Sequence, residues 1–164
     1  MTEENASLKD PAELTRYIET RFHARHREQL PELARLAAKV EQVHAGAPGV
    51  PTGLAELLRK MIGELEVHMK KEELIVFPAI RRGAEGIENP IAIMRADHDD
   101  QGAEIAYIRN LTGDLTLPEG ACRTWTALYQ GIGDFIDDFE AHVQLENEVL
   151  FPQFEHDVRK GVRS

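Results

Sequence analysis

The chain has 164 residues, 19 basic and 29 acidic side chains and a formal charge of −10. That length suits one domain with a substantial core, and 42% apolar residues exclude a disordered chain. No apolar run approaches the roughly 20 residues that cross a bilayer, and the negative balance argues against nucleic acid and anionic membrane as partners.

The acidic start, MTEENASLKDPAE, lacks the basic and apolar regions of a secretory signal. One cysteine, Cys122, excludes an internal disulfide and an all-cysteine metal site. A cytoplasmic location of bacterial type is expected. Residues 1–9 read as a polar tail, 10–158 as a helical bundle and 159–164 as a second tail.

Asp10, with Pro11 behind it and Glu13 three residues on, predicts a capped helix start. That helix is expected to run to about Val43, kinked or split at Pro31. The stretch HAGAPGVPTG is a loop, followed by a helix from about Thr52 to Arg81 and a glycine-rich turn. Asn89 is expected to cap a third helix, with Pro90 first in it, ending near Leu111. A fourth runs from about Pro118 to Val158. Short connections between long helices predict an all-α, antiparallel, up-down-up-down four-helix bundle.

The chain repeats itself. His68-Met-Lys-Lys-Glu72-Glu-Leu-Ile-Val-Phe77-Pro78 aligns without gaps to His142-Val-Gln-Leu-Glu146-Asn-Glu-Val-Leu-Phe151-Pro152. His23 precedes His68 by 45 residues, and His98 precedes His142 by 44. Two helical hairpins, each with one His and one His-x3-Glu, predict a shared site on a two-fold duplication. The spacing i, i+4 puts each His beside its Glu on one helix face. Those faces continue apolar stripes (Met61, Leu65, Ile75 and Ala79; Leu128, Ile132, Phe135, Phe139 and Val149), so the carboxylates point into a dry core. Ionised carboxylates there are costly unless paired or bound to metal.

Four His and two Glu suit a pair of first-row transition ions better than calcium or magnesium. Iron is the first expectation and manganese the second; zinc fits less well. If both Glu bridge, each ion receives two His and two carboxylate oxygens, leaving room for an oxo or hydroxo bridge and an outside ligand. On the first helix, a straight wheel from Leu14, Ile18 and Phe22 leads to His26. The spacing between halves leads instead to His23, since His26 gives 42 residues. Glu64, Asp138 and Asp97 could orient an imidazole or relay protons. Gly63 and Gly102 are costly inside helices and suggest close packing or ligand access. His44 and His156 suit helix C-termini, while Cys122 and Trp125 read as packing.

The segments HARHREQLPELARLAAKVEQVHA, VHMKKEELIVFP, ADHDDQGAEI and GACRTWTALYQGIGDFIDDFEAHVQLENEVLFP resemble the hemerythrin-like domain of the di-iron family for repair of iron centres. The resemblance runs from about Asp10 to Phe154. It implies a bacterial cytoplasmic protein of nitrosative and oxidative stress that restores damaged iron–sulfur clusters. Two iron ions would be held by His23, His68, Glu72, His98, His142 and Glu146, with Glu64 and Asp97 lining a route to them. Asp97 is shorter than the glutamate usual there.

Members of that family typically carry an N-terminal domain with a Cys pair, which this sequence does not include; a thiol-dependent step or a contact by that domain is in question. The implied partners are damaged or apo iron–sulfur proteins, an external electron donor, and nitric oxide or dioxygen. Nitric oxide reduction is the alternative activity, and a dioxygen carrier or sensor the alternative class. Oxygen-carrying hemerythrins place His and Asp where this chain has Gly102 and Asn147, which speaks against the carrier. A ferritin-like oxidase would need Glu-x-x-His pairs.

Overall fold

A computed structural model describes residues 10–155. The expected tails, His156 and the end of the fourth helix at Val158 lie outside the described residues. Among the described residues every regular element is helical, in four rods. The first joins α1 (Pro11–Tyr17), a π-helical segment (Ile18–His23) and α2 (Ala24–Val43). The second joins α3 (Leu54–Lys71), a π segment (Glu72–Val76) and α4 (Phe77–Arg81). The third is α5 (Glu88–Leu111). The fourth joins α6 (Arg123–Leu145), a π segment (Glu146–Leu150) and a 3-10 turn (Phe151–Phe154). No helix among them is long and apolar enough to cross a membrane.

Local chemistry accounts for most boundaries. The Asp10 carboxylate accepts from the Glu13 N–H at 3.1 Å, and Pro11 occupies the first helical position. Gly53, at φ 95°, precedes α3 and has no side chain to cap it. Glu41 caps in its place, accepting from the N–H groups of Gly53 and Ala55 at 2.9 and 2.8 Å, a carboxylate where the helix dipole favours one.

Three expectations are corrected. Pro31 does not split its helix: α2 runs through it, and the irregularity lies upstream at Ile18–His23. Asn89 lies inside α5, whose preceding residue is Ile87 without a side-chain cap. The fourth rod begins at Arg123 rather than near Pro118, because Pro118–Ala121 close a turn with Gly120 at φ 84° and Cys122 is extended.

Cross-links fix the antiparallel order. His23 meets Glu73 while Arg27 reaches back to Glu66; His68 meets Asp97 while Lys60 faces Glu104; His98 meets Asn147 while Arg109 faces Glu140. The core falls into two apolar clusters. One gathers Leu30, Leu58, Met61, Leu65, Ile105, Ile132, Phe135 and Phe139. The other gathers Leu14, Ile18, Phe22, Phe77, Ile91, Met94, Leu150 and Phe151. Along every rod the histidines and glutamates of the repeat fall between the two.

Gly63 and Gly102 do not mark close packing, because a Cβ on either would meet nothing within 4 Å. Close approach occurs at Gly131, where a Cβ would stand 2.6 Å from Leu33 Cδ2. Gly63→Ala and Gly102→Ala should each stabilise the protein by about 0.5–1 kcal/mol, since helical glycine costs that much backbone entropy. A lower melting temperature for either variant would show that its open side serves something the packing does not reveal.

Candidate metal centre

Six side chains converge in the layer between the apolar clusters: His23, His68, Glu72, His98, His142 and Glu146, all at most 4% exposed. They form two overlapping groups. His23, Glu72, His142 and Glu146 each bring one ligand-type atom within 4.8 Å of the others, as do His68, Glu72, His98 and Glu146. Both carboxylates belong to both groups, and each divides its oxygens. Glu72 turns Oε1 to His23 Nε2 at 2.9 Å and Oε2 to His68 Nε2 at 3.4 Å. Glu146 turns Oε2 to His142 Nε2 at 2.8 Å and Oε1 to His98 Nε2 at 2.9 Å.

The π segments contribute to this convergence. One ends on His23; the others begin on Glu72 and Glu146. A π turn widens the helix by one residue and re-aims the side chains beside it, which is why such turns recur at functional sites.

Every imidazole of the six is held at its other nitrogen by a different helical rod. His23 Nδ1 donates to Glu73 at 2.7 Å, His68 Nδ1 to Asp97 at 2.9 Å and His98 Nδ1 to Asn147 Oδ1 at 2.9 Å. His142 Nδ1 meets His26 Nε2 at 3.1 Å. Carboxylate and amide oxygens only accept, so Nδ1 of His23, His68 and His98 carries a proton, and Nε2 is the nitrogen turned to the glutamates. Glu73 is held in turn by Arg27 at 2.8 Å.

A neutral imidazole turned to a carboxylate in this way is repelled by it, so without an ion between them a proton is drawn to the imidazole, as at His68 and His23. His68 Nε2, Glu72 Oε2, His98 Nε2 and Glu146 Oε1 are buried without a hydrogen-bond partner. Buried polar atoms are almost always satisfied. Four orphaned lone-pair donors in one place, from imidazole and carboxylate, are the donor set that suits a first-row transition ion. The residues present fit a metal pair.

The expected outer residues divide. Asp97 orients His68 rather than its own neighbour His98. Asp138 turns away from His142 to Arg21, Arg25 and Gln29. Glu64 is about half exposed, facing Lys60 at 3.7 Å, and does not orient His68. Glu64 and Asp97 both line a depression of about 540 Å³ between α3 and α5. His26, one of the two first-helix alternatives, is wholly buried against His142. Sequence reasoning overlooked Glu73 and did not assign Asn147 to His98. Both could have been found from the repeat, where they occupy the same place, one after the glutamate. His44 closes α2 and sets Nε2 3.2 Å from Cys122 Sγ, its ring 4.8 Å from that of Trp125.

Electrostatics separates the imidazoles. Burial works against a charged His68, yet Glu72, Glu146 and Asp97 outweigh it and push its pKa up to about 9. His23 moves the same way through Glu72, Glu146 and Glu73. Burial, followed by the neighbouring His142, drives His26 down to about 3.

Residues 16–154 match the family described as hemerythrin HHE cation binding domain. The chain is similar to the iron-sulfur cluster repair protein YtfE of Edwardsiella ictaluri (strain 93-146), 51% identical over 148 residues that make up 89% of this chain and 66% of that protein. Its likeness to the protein of the same name from Dickeya chrysanthemi (strain Ech1591) is 47% over 154 residues, 93% of this chain and 69% of the relative. For the Yersinia pseudotuberculosis serotype O:1b (strain IP 31758) protein it is 50% over 141 residues, 85% and 64%. The chain spans about two thirds of the length of these relatives.

These shifts set a pH dependence for chelator-treated protein. His68, raised from 6.5 to about 9, contributes stability that is full below pH 6.5 and lost as pH rises through 9. His26, lowered from 6.5 to about 3, contributes stability that is full above pH 6.5 and lost as pH falls. The melting temperature should therefore peak near pH 6.5. A melting temperature that stays level from there to pH 9 would contradict the carboxylate cage around His68.

Proposed function

Because the chain belongs to the hemerythrin HHE cation binding family, we propose that it is a di-iron protein that repairs damaged iron–sulfur clusters by donating iron. The observation that carries this reading is the division of each buried glutamate between two histidine groups, with four orphaned donor atoms around them. One ion would be held by His23 and His142, the other by His68 and His98, with Glu72 and Glu146 shared. When bound, the pair supplies redox-active iron with room for an outside ligand. The similarity to relatives named as iron-sulfur cluster repair proteins supports the assignment of the cargo. Apo or damaged iron–sulfur proteins would be the recipients, in the cytoplasm, with electrons from an external donor and with nitric oxide or dioxygen as small ligands.

The chain's own residues have definable tasks. Glu73, Asp97, Asn147 and His26 keep the imidazoles turned with Nε2 inward, as outer partners of metal-ligating histidines do. Asp97 stands at the inner end of the 540 Å³ depression and Glu64 at its rim, so both carboxylates line a path by which a cation reaches His68. Glu104 faces Glu64 there; partial burial and that neighbour push its pKa up to about 7. A proton is thus kept at the rim near neutral pH.

Glu72→Ala and Glu146→Ala should each lose at least one of two irons per chain by metal analysis; full retention in either would remove the shared-carboxylate assignment. His23→Ala should lose an ion as well. His26→Ala should bind two, with affinity weaker by about 10–100-fold, the usual effect of losing an outer partner. The reverse pattern would exchange the two histidines. The function itself is tested by mixing iron-loaded protein with an apo iron–sulfur enzyme and sulfide. Recovery of the cluster should exceed that from the same iron in free solution, and equal recovery would reject donation.

A further inference from the structure

The two halves offer a comparison within one molecule. Rod one matches rod three at a separation of 75 residues, His23 to His98, and rod two matches rod four at 74, His68 to His142. The depression between α3 and α5 therefore has a counterpart between the first and fourth rods, a hollow of about 650 Å³ whose charged lining is Arg21, Arg25, Glu28, Asp134, Asp137 and Asp138. In register, Asp97 answers to Phe22, Gln101 to His26, Asp100 to Arg25, Glu104 to Gln29 and Glu64 to Asp138.

The counterparts differ in kind. On the open side, the lining runs inward from Glu64 and Glu104, which share Lys60, to Gln101 and Asp97; Asp97 faces Lys71 and touches His68. Gln101 is 6% exposed and its Oε1 has no partner. On the other side Asp138 is tied at 3.0–3.1 Å to Arg21, Arg25 and Gln29. Beneath this clamp stands an aromatic wall: Phe22 lies flat on His142 with ring centres 5.4 Å apart, and Phe135 and Phe139 pack on His26. No side chain lining that hollow hydrogen-bonds to any of the six inner residues.

Resting on the metal-pair reading, we propose that Phe22, His26 and the Arg21–Arg25–Asp138 clamp are a stopper. The His68/His98 position exchanges its ion through the acidic depression, and the His23/His142 position retains its own. At their mouths the two hollows are alike, each with two cationic and four acidic side chains; beneath them a cation meets apolar rings on the clamped side, and on the other the Gln101 amide and the Asp97 carboxylate that reaches His68.

The test uses protein loaded anaerobically with ferrous iron and challenged with a chromogenic ferrous chelator. One iron per chain should leave in a fast phase and the second in a slow one. Crystals of half-depleted protein should show the remaining anomalous peak at His23 and His142. Arg21→Ala/Arg25→Ala, at half-exposed positions, should accelerate the slow phase and leave the fast phase unchanged. Phe22→Ala should accelerate it by about tenfold or more, the scale on which outer-partner changes alter metal retention. A remaining peak at His68 and His98, or a slow phase indifferent to both variants, overturns the stopper. Two ions leaving at one rate also overturn it while keeping the metal pair. A chain that loads no pair of ions fails the earlier reading and this one together.

Discussion

Two carboxylates with no access to water, Glu72 and Glu146, are the constraint on which the rest of the molecule depends. Removing an ion from water costs several kcal/mol even after the protein relaxes, and here two like charges are brought together between two apolar clusters. Nearby ammonium or guanidinium groups could have neutralised them, but the chain supplies imidazoles instead. Arginines and lysines stay one layer out, on Glu73, Glu66 and Asp97. The arrangement holds Nδ1 from outside and turns Nε2 to the glutamates, so that the same nitrogen can carry a proton or present a lone pair to a cation.

The outer layer shows what duplication has conserved and what it has released. The inner six match position for position and meet in one layer. Their supports do not match. Three Nδ1 atoms meet oxygen, from glutamate, aspartate and asparagine, whereas His142 meets the nitrogen of His26. A carboxylate partner raises the electron density of its imidazole more than an amide or a second imidazole does. The two halves therefore give their positions different basicity and different surroundings with one backbone plan.

Much of this was legible in the sequence, and the reasons differ by element. The bundle and its order followed from periodicity and caps such as Asp10-Pro11. The six inner residues followed from a gapless repeat, because equal spacing on both halves brings each His and Glu to the same layer. The outer partners were harder. Asp138 and Glu64 sit one turn before a histidine on the same helix, yet orientation comes from another rod, and inter-rod contacts leave no spacing signal. Asp97 was named but assigned to its neighbour in sequence rather than in space. Pro31 suggested a break that the helix tolerates, since losing one N–H and re-aiming one carbonyl can be absorbed by a long, well-packed rod. A wheel drawn at 3.6 residues per turn led to His26 alone; because Ile18–His23 is wound more widely, both His23 and His26 lie inside.

The wide turns carry a consequence for how this chain can change length. Each residue removed from an α-helix rotates everything after it by about 100°. A π turn is a stored insertion. Losing one residue from Glu72–Val76 would restore regular winding and keep Phe77 and Ile80 on the apolar cluster they fill, yet re-aim Glu72 at the start of the segment. The same holds for Glu146–Leu150, followed by Phe151. Insertions and deletions should therefore accumulate in the loop between α2 and α3, while these short helical stretches, irregular as they are, behave as the length-invariant parts of the molecule.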